Sequence, residues 1–382
     1  MNARPHRYIG LMSGTSLDGV DAALVDLESA PKLIDTRYTA FPTDLREELL
    51  RLHATGHAEL HRAALVSNRL GMLYAETVQR LLSQTNASPR DIAAIGCHGQ
   101  TVRHRPDEGY SLQLNNASLL AEYTGITVVS DFRSRDIAAG GNGAPLVPAF
   151  HAACFRDASK HRAIVNIGGI ANVTALAPRE GTPAGADKET TGFDTGPGNM
   201  LLDAWAREHL GAERDEGGGF AASGVVIDAL LKTFLADPYF DTAPPKSTGR
   251  DRFNVAWLHE KTGRHATTAL RPQDVQATLA ELTAQSIAEA LRRWSPRTQE
   301  AYVCGGGAHN DDLYRRLSRH LSAGPERVSL ASTEELGMHP DWVEAMAFAW
   351  LAQQAIERRP ANLPQVTGAR GPRILGAIHH AY

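Results

Sequence analysis

The sequence predicts an α/β protein built as two similar lobes around a cleft. Three observations carry that expectation. Apolar patterns of strand and helix period alternate along the 382 residues, the arrangement that sets helices against sheet faces. A unit of strand, glycine turn and strand at residues 8–26 returns at residues 163–177, about 155 residues later, and reads as a structural duplication. The length also exceeds that of one average domain and suits two lobes.

The first unit, YIGLMSGTSLDGVDAALVD, places two apolar runs around a turn of Gly, Ser, Thr and Asp. Ile9, Leu11 and residues 20–25 suit buried strands. Ser13, Gly14, Thr15 and Ser16 offer hydroxyls and approachable backbone N–H groups to an anion such as phosphate. Asp18 and Asp21 would repel a bare phosphate but tolerate one carried with Mg²⁺. A plain tight hairpin has the same composition, so this segment alone leaves both readings open. A third strand follows at 32–41. A helix is expected over 58–82, where Leu60, Ala64, Leu70, Leu73, Val78 and Leu81 recur near helical spacing. Strands are expected at 92–97, 110–114 and 126–130. The Gly-rich link 139–144 marks the lobe boundary, and a helix follows at 145–155.

The second unit, AIVNIGGIANVTALA, carries Gly168 and Gly169 in its turn. Residues 178–190 read as a polar surface loop, followed by GFDTGPGN at 192–199 and a helix at 200–210. Further helices are expected at 225–236, 273–294, 311–321 and 342–358. In the longest, Val275, Leu279, Leu282, Ile287, Leu291 and Trp294 form one apolar face. A short strand at 301–304 leads into Gly305, Gly306 and Gly307.

Composition narrows the function. A formal net charge of −4 and a pI near 6.5 give no general attraction to nucleic acid or anionic membranes, so any bound anion is held locally. Cys97, Cys154 and Cys304 lack CxxC spacing, which argues against a disulfide framework or a zinc site and fits a reducing cytoplasm. No run approaches the roughly 20 apolar residues that span a bilayer, and the N-terminus lacks the apolar stretch of a signal peptide.

The chemistry then rests on three glycine turns, each after a strand, where α/β folds collect ligands. The first turn is expected to hold the β and γ phosphates of a nucleotide, and Gly168 and Gly169 to hold phosphates from the opposite lobe. Gly305, Gly306 and Gly307 would let the backbone lie against adenosine. No GxxxxGK[ST], HRD or DFG motif occurs. Asp194 precedes Gly196, Pro197 and Gly198, with Pro197 placed to start the next helix, and reads as a general base or as an N-cap. Glu344 is a second active carboxylate or an ordinary acid of a first helical turn. Gln100 and Thr101 are polar sugar contacts or a strand-end loop. Arg133 and Arg135 pair with a substrate carboxylate or bridge surface acids. His57 and His61, without HExxH, read as a solvated helix face.

The blocks MSGTSLDGVD (12–21), CHGQT (97–101), DFR (131–133), GGNGAPLVP (140–148), NIGGIANVT (166–174), GFDTGPGNMLLDAW (192–205) and EAMAFAWLA (344–352) together resemble the anhydro-N-acetylmuramic acid kinase family over essentially the whole chain. Position 142 is Asn where the family is expected to have Gln. The resemblance implies two actin-like (ribonuclease H-like) lobes, with mixed sheets flanked by helices around a central ATP and sugar cleft. One lobe would span 1–140 completed by 359–382, and the other 141–358. It also implies opening of the 1,6-anhydro bond by water with phosphorylation of O6 by ATP, in cell-wall recycling. Asp194 would activate the water. Gly14, Thr15, Ser16, Leu17, Asp18, Gly19, Val20 and Asp21 would hold the phosphates. Glu344 would fix the sugar, and Arg133 or Arg135 would meet the lactyl carboxylate. Mg²⁺ is expected with ATP, its protein ligands unassigned, since Met12 and Ser13 stand where the wider superfamily has an Asp. Lobe closure would keep water off ATP. A homodimer in the cytoplasm completes the expectation. Two rival classes remain: a glycoside hydrolase using Asp194 and Glu344 without ATP, and a non-catalytic ATP-binding protein of the same fold.

Overall fold

The computed structural model describes residues 5–14, 16–179, 190–250, 252–265, 270–323 and 326–381. The chain forms two compact units, Met1–Cys154 with Trp342–Tyr382, and Phe155–Asp341. The Gly-rich link at 139–144 therefore lies inside the first unit, whereas the sequence reading divides the chain there and again at 358/359.

Strands are numbered along the chain. The first unit holds β1 (Arg7–Met12), β2 (Gly19–Asp26), β3 (Lys32–Ala40), β4 (Ile92–Cys97), β5 (Gln100–Arg105), β6 (Tyr110–Leu114) and β7 (Val128–Ser130). The second holds β8 (Arg162–Ile167), β9 (Ile170–Leu176), β10 (Thr191–Pro197), β11 (Glu300–Cys304) and β12 (Ser329–Ser332), and β13 (Ala377–His379) returns to the first. The first sheet runs β13-β7-β4-β1-β2-β3. In it β1, β2 and β3 form an antiparallel meander, while β4 and β7 extend the sheet in parallel. The second sheet runs β10-β9-β8-β11-β12 with the same senses. The duplication expected from the two glycine hairpins is thus a repeated sheet order, meander first and parallel strands after.

Period-2 alternation explains how helices cover the first sheet. Ile9 and Leu11 of β1 join Leu24 and, from the Glu59–Gln84 helix, Leu70, Tyr74, Val78 and Leu81 in one buried cluster. Gly10 points to the other face, where the Val343–Ile356 helix lies so close that a Cβ would come 1.8 Å from the Ala345 carbonyl oxygen. Gly96 of β4 is equally constrained, its Cβ position lying 2.0 Å from the Phe348 oxygen. Glycine at both places lets helix backbone rest on strand backbone. Near the far end of that helix, Gln353 Nε2 donates to the Leu27 oxygen, beside the start of β1. The helix therefore runs antiparallel to β1, and its N-terminus, with Glu344, stands at the C-terminal ends of β1 and β4.

In the second unit the Pro272–Trp294 helix sends Ala284, Ile287, Ala288 and Leu291 into a cluster with Val165, Val173 and Phe193. Its neighbour, the Asp311–Ser322 helix, contributes Leu313, Leu317 and Leu321. The two helices are also joined by charge. Glu281 accepts from Arg316 at 2.8 Å and from Arg319 at 2.9 Å, and faces His320 Nε2 at 2.6 Å. Burial disfavours the Glu281 carboxylate, yet hydrogen bonds from His320 and Arg316 outweigh it and bring the pKa down to about 2.

Two local expectations are corrected. Pro197 closes β10 instead of starting a helix, and the next helix, Met200–Leu210, begins after Asn199. Gln100 and Thr101 open β5 and are not in a loop. Most of the surface loop expected at 178–190 lies outside the described residues.

Candidate functional site

In the first unit the turn between β1 and β2 is held from below. Ser13 is almost fully buried, and its Oγ donates to the Gly99 oxygen at 3.0 Å and meets Tyr74 Oη at 2.9 Å. Its hydroxyl is spent inward, which corrects the expectation that it faces an anion. Gln100 Nε2 donates to the Gly14 oxygen at 3.0 Å, while its buried Oε1 has no partner among the described residues. Leu17 takes a positive φ of 59° and is buried. Ser16 Oγ donates to the exposed Asp18 carboxylate at 2.6 Å. Thr15 lies outside the described residues. Val20 is fully buried in β2, and a Cβ on Gly19 would lie 2.5 Å from the Thr39 oxygen, so both serve packing. Asp21, also in β2, pairs in register with Met12. Gly14 differs: the nearest atom to its Cβ position is Ser16 Oγ at 3.7 Å.

His98, which the sequence reading did not single out, lies directly beneath this turn. Its Nδ1 faces the Ser13 oxygen at 3.3 Å and its Nε2 faces Arg133 Nη2 at 2.8 Å. Arg133 Nη1 donates to the Gly143 oxygen at 2.7 Å. Arg135 is exposed two residues further on. Thr101 Oγ1 accepts from Gln113 Nε2 at 3.1 Å across the β5–β6 pair. The first unit therefore gathers the first turn, Gln100, Arg133 and the Glu344 helix end around the C-terminal ends of its central strands β1 and β4. Among the described residues one group has metal-ligand geometry, His6 with Asp26 and Glu28, and it lies at the opposite end of β1 and β2.

In the second unit, the two remaining glycine turns meet at the C-terminal end of β8. The Gly168 oxygen accepts from Asn199 N–H at 2.8 Å, and the Gly169 oxygen from Gly198 N–H at 3.0 Å. Gly198 fits so tightly beneath that a Cβ would come 2.3 Å from the Gly168 oxygen. Gly305, at φ 80°, would meet Asn166 Oδ1 at 2.3 Å, and Gly307 would meet Ile167 Cγ2 at 2.3 Å. Both glycines pack against β8. Gly168 and Gly306 remain open, with nearest atoms at 3.6 Å and 3.8 Å, the latter Asn199 Nδ2.

Asp194 lies within β10 at a register shift between Asp194 and Gly196. Such a bulge re-aims a side chain. Its backbone N–H donates to the Lys246 oxygen at 3.2 Å, its own oxygen accepts from Tyr239 Oη at 2.7 Å, and Thr248 N–H donates to Oδ2 at 2.9 Å. The N-cap reading of this residue is thereby replaced by an oriented strand carboxylate. Tyr239 is pushed well above its ordinary value by burial and by Asp194, so it remains a donor. Lys246 sits 4.5 Å over the Tyr239 ring, its pKa lowered by burial and by Arg293 while Asp194 acts against that fall. The 237–248 segment behind these contacts carries no motif; only the structure brings it to Asp194.

A family model described as "Anhydro-N-acetylmuramic acid kinase" matches residues 6–381. A curated protein of that name from Nitrosomonas europaea is 52% identical over 379 residues, covering 98% of this chain and 99% of its own. Another from Bordetella petrii is 53% identical, covering 98% and 96%. Among solved structures, the activator of the 2-hydroxyisocaproyl-CoA dehydratase from Clostridium difficile aligns at 13% identity with a TM-score of 0.47, covering 92% of this chain and 96% of that one.

Proposed function

This chain belongs to the anhydro-N-acetylmuramic acid kinase family, and from that premise we propose that it converts 1,6-anhydro-N-acetylmuramic acid, water and ATP into N-acetylmuramate 6-phosphate and ADP. Water attacks C1 as Asp194 takes its proton, and the C1–O6 bond breaks. The released O6 bonds to the γ-phosphorus as the bond to the bridging oxygen of ADP breaks. Thr248 N–H on Oδ2 holds the carboxylate in one orientation for that work.

One observation carries the kinase reading over a hydrolase: three glycines after strands, Gly14, Gly168 and Gly306, have no atom closer than 3.6 Å to the Cβ position, so a ligand can approach their backbone. A Cβ on Gly19, Gly198, Gly305 or Gly307 would by contrast overlap protein atoms. Phosphates and adenosine need close backbone approach, and a hydrolase would leave these openings without use. Gly14, Ser16 and Asp18 of the first turn and Gly168 with Gly169 hold the phosphates, and Gly306 lies against adenosine. Bound Mg²⁺ would neutralise the β and γ phosphates. Asp18, exposed at the turn and carrying the Ser16 hydroxyl, fits a contact to the hydrated ion. Gln100 through its unpartnered Oε1, Thr101 and Glu344 serve the sugar, and Arg133 or Arg135 its carboxylate. Among the described residues no helix is long and apolar enough to cross a membrane; a cytoplasmic homodimer is the setting we propose.

The test is incubation with the anhydro sugar, with and without Mg-ATP. Phosphorylated product formed only with ATP supports the kinase. Ring opening without ATP would establish the hydrolase instead, and no conversion the binding protein.

A further inference from the structure

We infer that His98 is a positioning residue: its imidazole clamps the Ser13 carbonyl beneath the first glycine turn, in a tautomer that Arg133 selects. The inference rests on the reading of that turn as a nucleotide holder. His98 follows β4, and its backbone N–H donates to the Leu11 oxygen at 3.0 Å, which sets the ring under the turn. Only 5% of the residue is exposed. A guanidinium has no acceptor, so Arg133 Nη2, 2.8 Å away, must donate to Nε2. The ring proton is therefore on Nδ1, which donates to the Ser13 oxygen. Burial, with the Arg133 charge beside it, lowers the imidazole pKa to about 3, so the ring stays neutral and the arrangement does not switch near neutral pH.

Arg133 is itself fixed from behind. Its Nη1 donates to the Gly143 oxygen, and Gly143 N–H donates to Oδ2 of the fully buried Asp136 at 2.8 Å. Asp136 Oδ1 accepts from Asn362 Nδ2 at 2.7 Å and from Thr367 Oγ1 at 2.8 Å. A continuous chain of bonds thus runs from the C-terminal segment through Asp136, Gly143, Arg133 and His98 to Ser13. The imidazole also lies 4.7 Å from the Phe348 ring, one helical turn beyond Glu344.

Two substitutions separate clamping from space-filling. Asn places its amide N–H where imidazole Nδ1 stands and keeps the donor to Ser13. Gln reaches the Nε2 position and leaves the buried Ser13 carbonyl without its donor, although it is the closer match to His in volume. We expect His98→Gln to raise KM for ATP and Kd for a non-hydrolysable ATP analogue about tenfold, with kcat at saturating ATP within about threefold. His98→Asn should keep all three within about threefold. The reverse order, or equal effects, would overturn the inference. Should His98→Gln fail to fold, His98→Asn decides alone: near-parental analogue affinity supports the clamp, and a tenfold loss overturns it. Gly14→Val distinguishes the two levels of argument. Unchanged analogue binding in that variant would remove the turn itself from nucleotide binding. Lost binding there, combined with the wrong order at position 98, would defeat only the clamp.

Discussion

Asp194, the base we propose, shows how little of a site residue's orientation lies in its own sequence neighbourhood. The motif GFDTGPGN identifies it, yet its orientation comes from Tyr239, Lys246 and Thr248, residues 45 to 54 positions away by their bonded partners. Asn at 194 can still accept from Thr248 N–H but cannot take a proton. Asp194→Asn is therefore expected to lower kcat by about 10²–10⁴, with Kd for a non-hydrolysable ATP analogue within about threefold. Steady-state kinetics and calorimetry check this, and loss of nucleotide affinity would remove Asp194 from the role of base. Ser13 carries the opposite lesson. Its hydroxyl reads from sequence as available to an anion, whereas Tyr74 and Gly99, brought in from other elements, turn it inward. Sequence supplies residue types at a turn; tertiary partners decide which way each points.

At the scale of elements, legibility followed length and period. The helices at Glu59–Gln84, Pro272–Trp294 and Val343–Ile356 lie close to the ranges read from apolar spacing, because many turns repeat the same signal. Strands β5, β12 and β13 escaped, being three to six residues long and largely polar or half-exposed. The seat of Val343–Ile356 makes a clear test: Gly96→Ala puts a methyl 2.0 Å from the Phe348 oxygen. It should cost about 1–3 kcal/mol, measured by urea unfolding. The Glu281 cluster adds a pH test. A carboxyl brought down from an ordinary 4.5 to about 2 stabilises the fold fully above about pH 4.5, and that contribution disappears as pH falls toward 2. Glu281→Gln should lose roughly 2–3 kcal/mol at pH 7. The deficit should shrink at pH 3; a constant deficit would show that the ion pairs are not its source.

Across the whole molecule, one plan is used twice: a meander with a glycine turn after its first strand, then parallel strands. The sequence reveals the repeat through its two hairpins, each with glycine after its first strand, while the lobe limits escape it because the Gly-rich link at 139–144 is tied into the first unit by Asp136. Within each unit the glycines divide by physical role. Gly10, Gly96, Gly198, Gly305 and Gly307 stand where a Cβ would overlap protein atoms, and Gly14, Gly168 and Gly306 stand where the nearest atom is at ordinary contact distance. If the open ones are reserved for nucleotide, enlarging them should spare the fold and cost the ligand. Gly168→Val, with its nearest neighbour 3.6 Å from the Cβ position, is expected to keep the ligand-free melting temperature. It should lose most of the stabilisation that nucleotide confers, about 2.7 kcal/mol at a hundredfold excess over Kd for the parent. Gly198→Ala, forced to 2.3 Å from the Gly168 oxygen, should melt lower even without ligand. Thermal unfolding with and without Mg-bound ATP analogue reads both variants in one experiment. A full nucleotide shift in Gly168→Val would mean that the second turn, despite its likeness to the first, touches no phosphate.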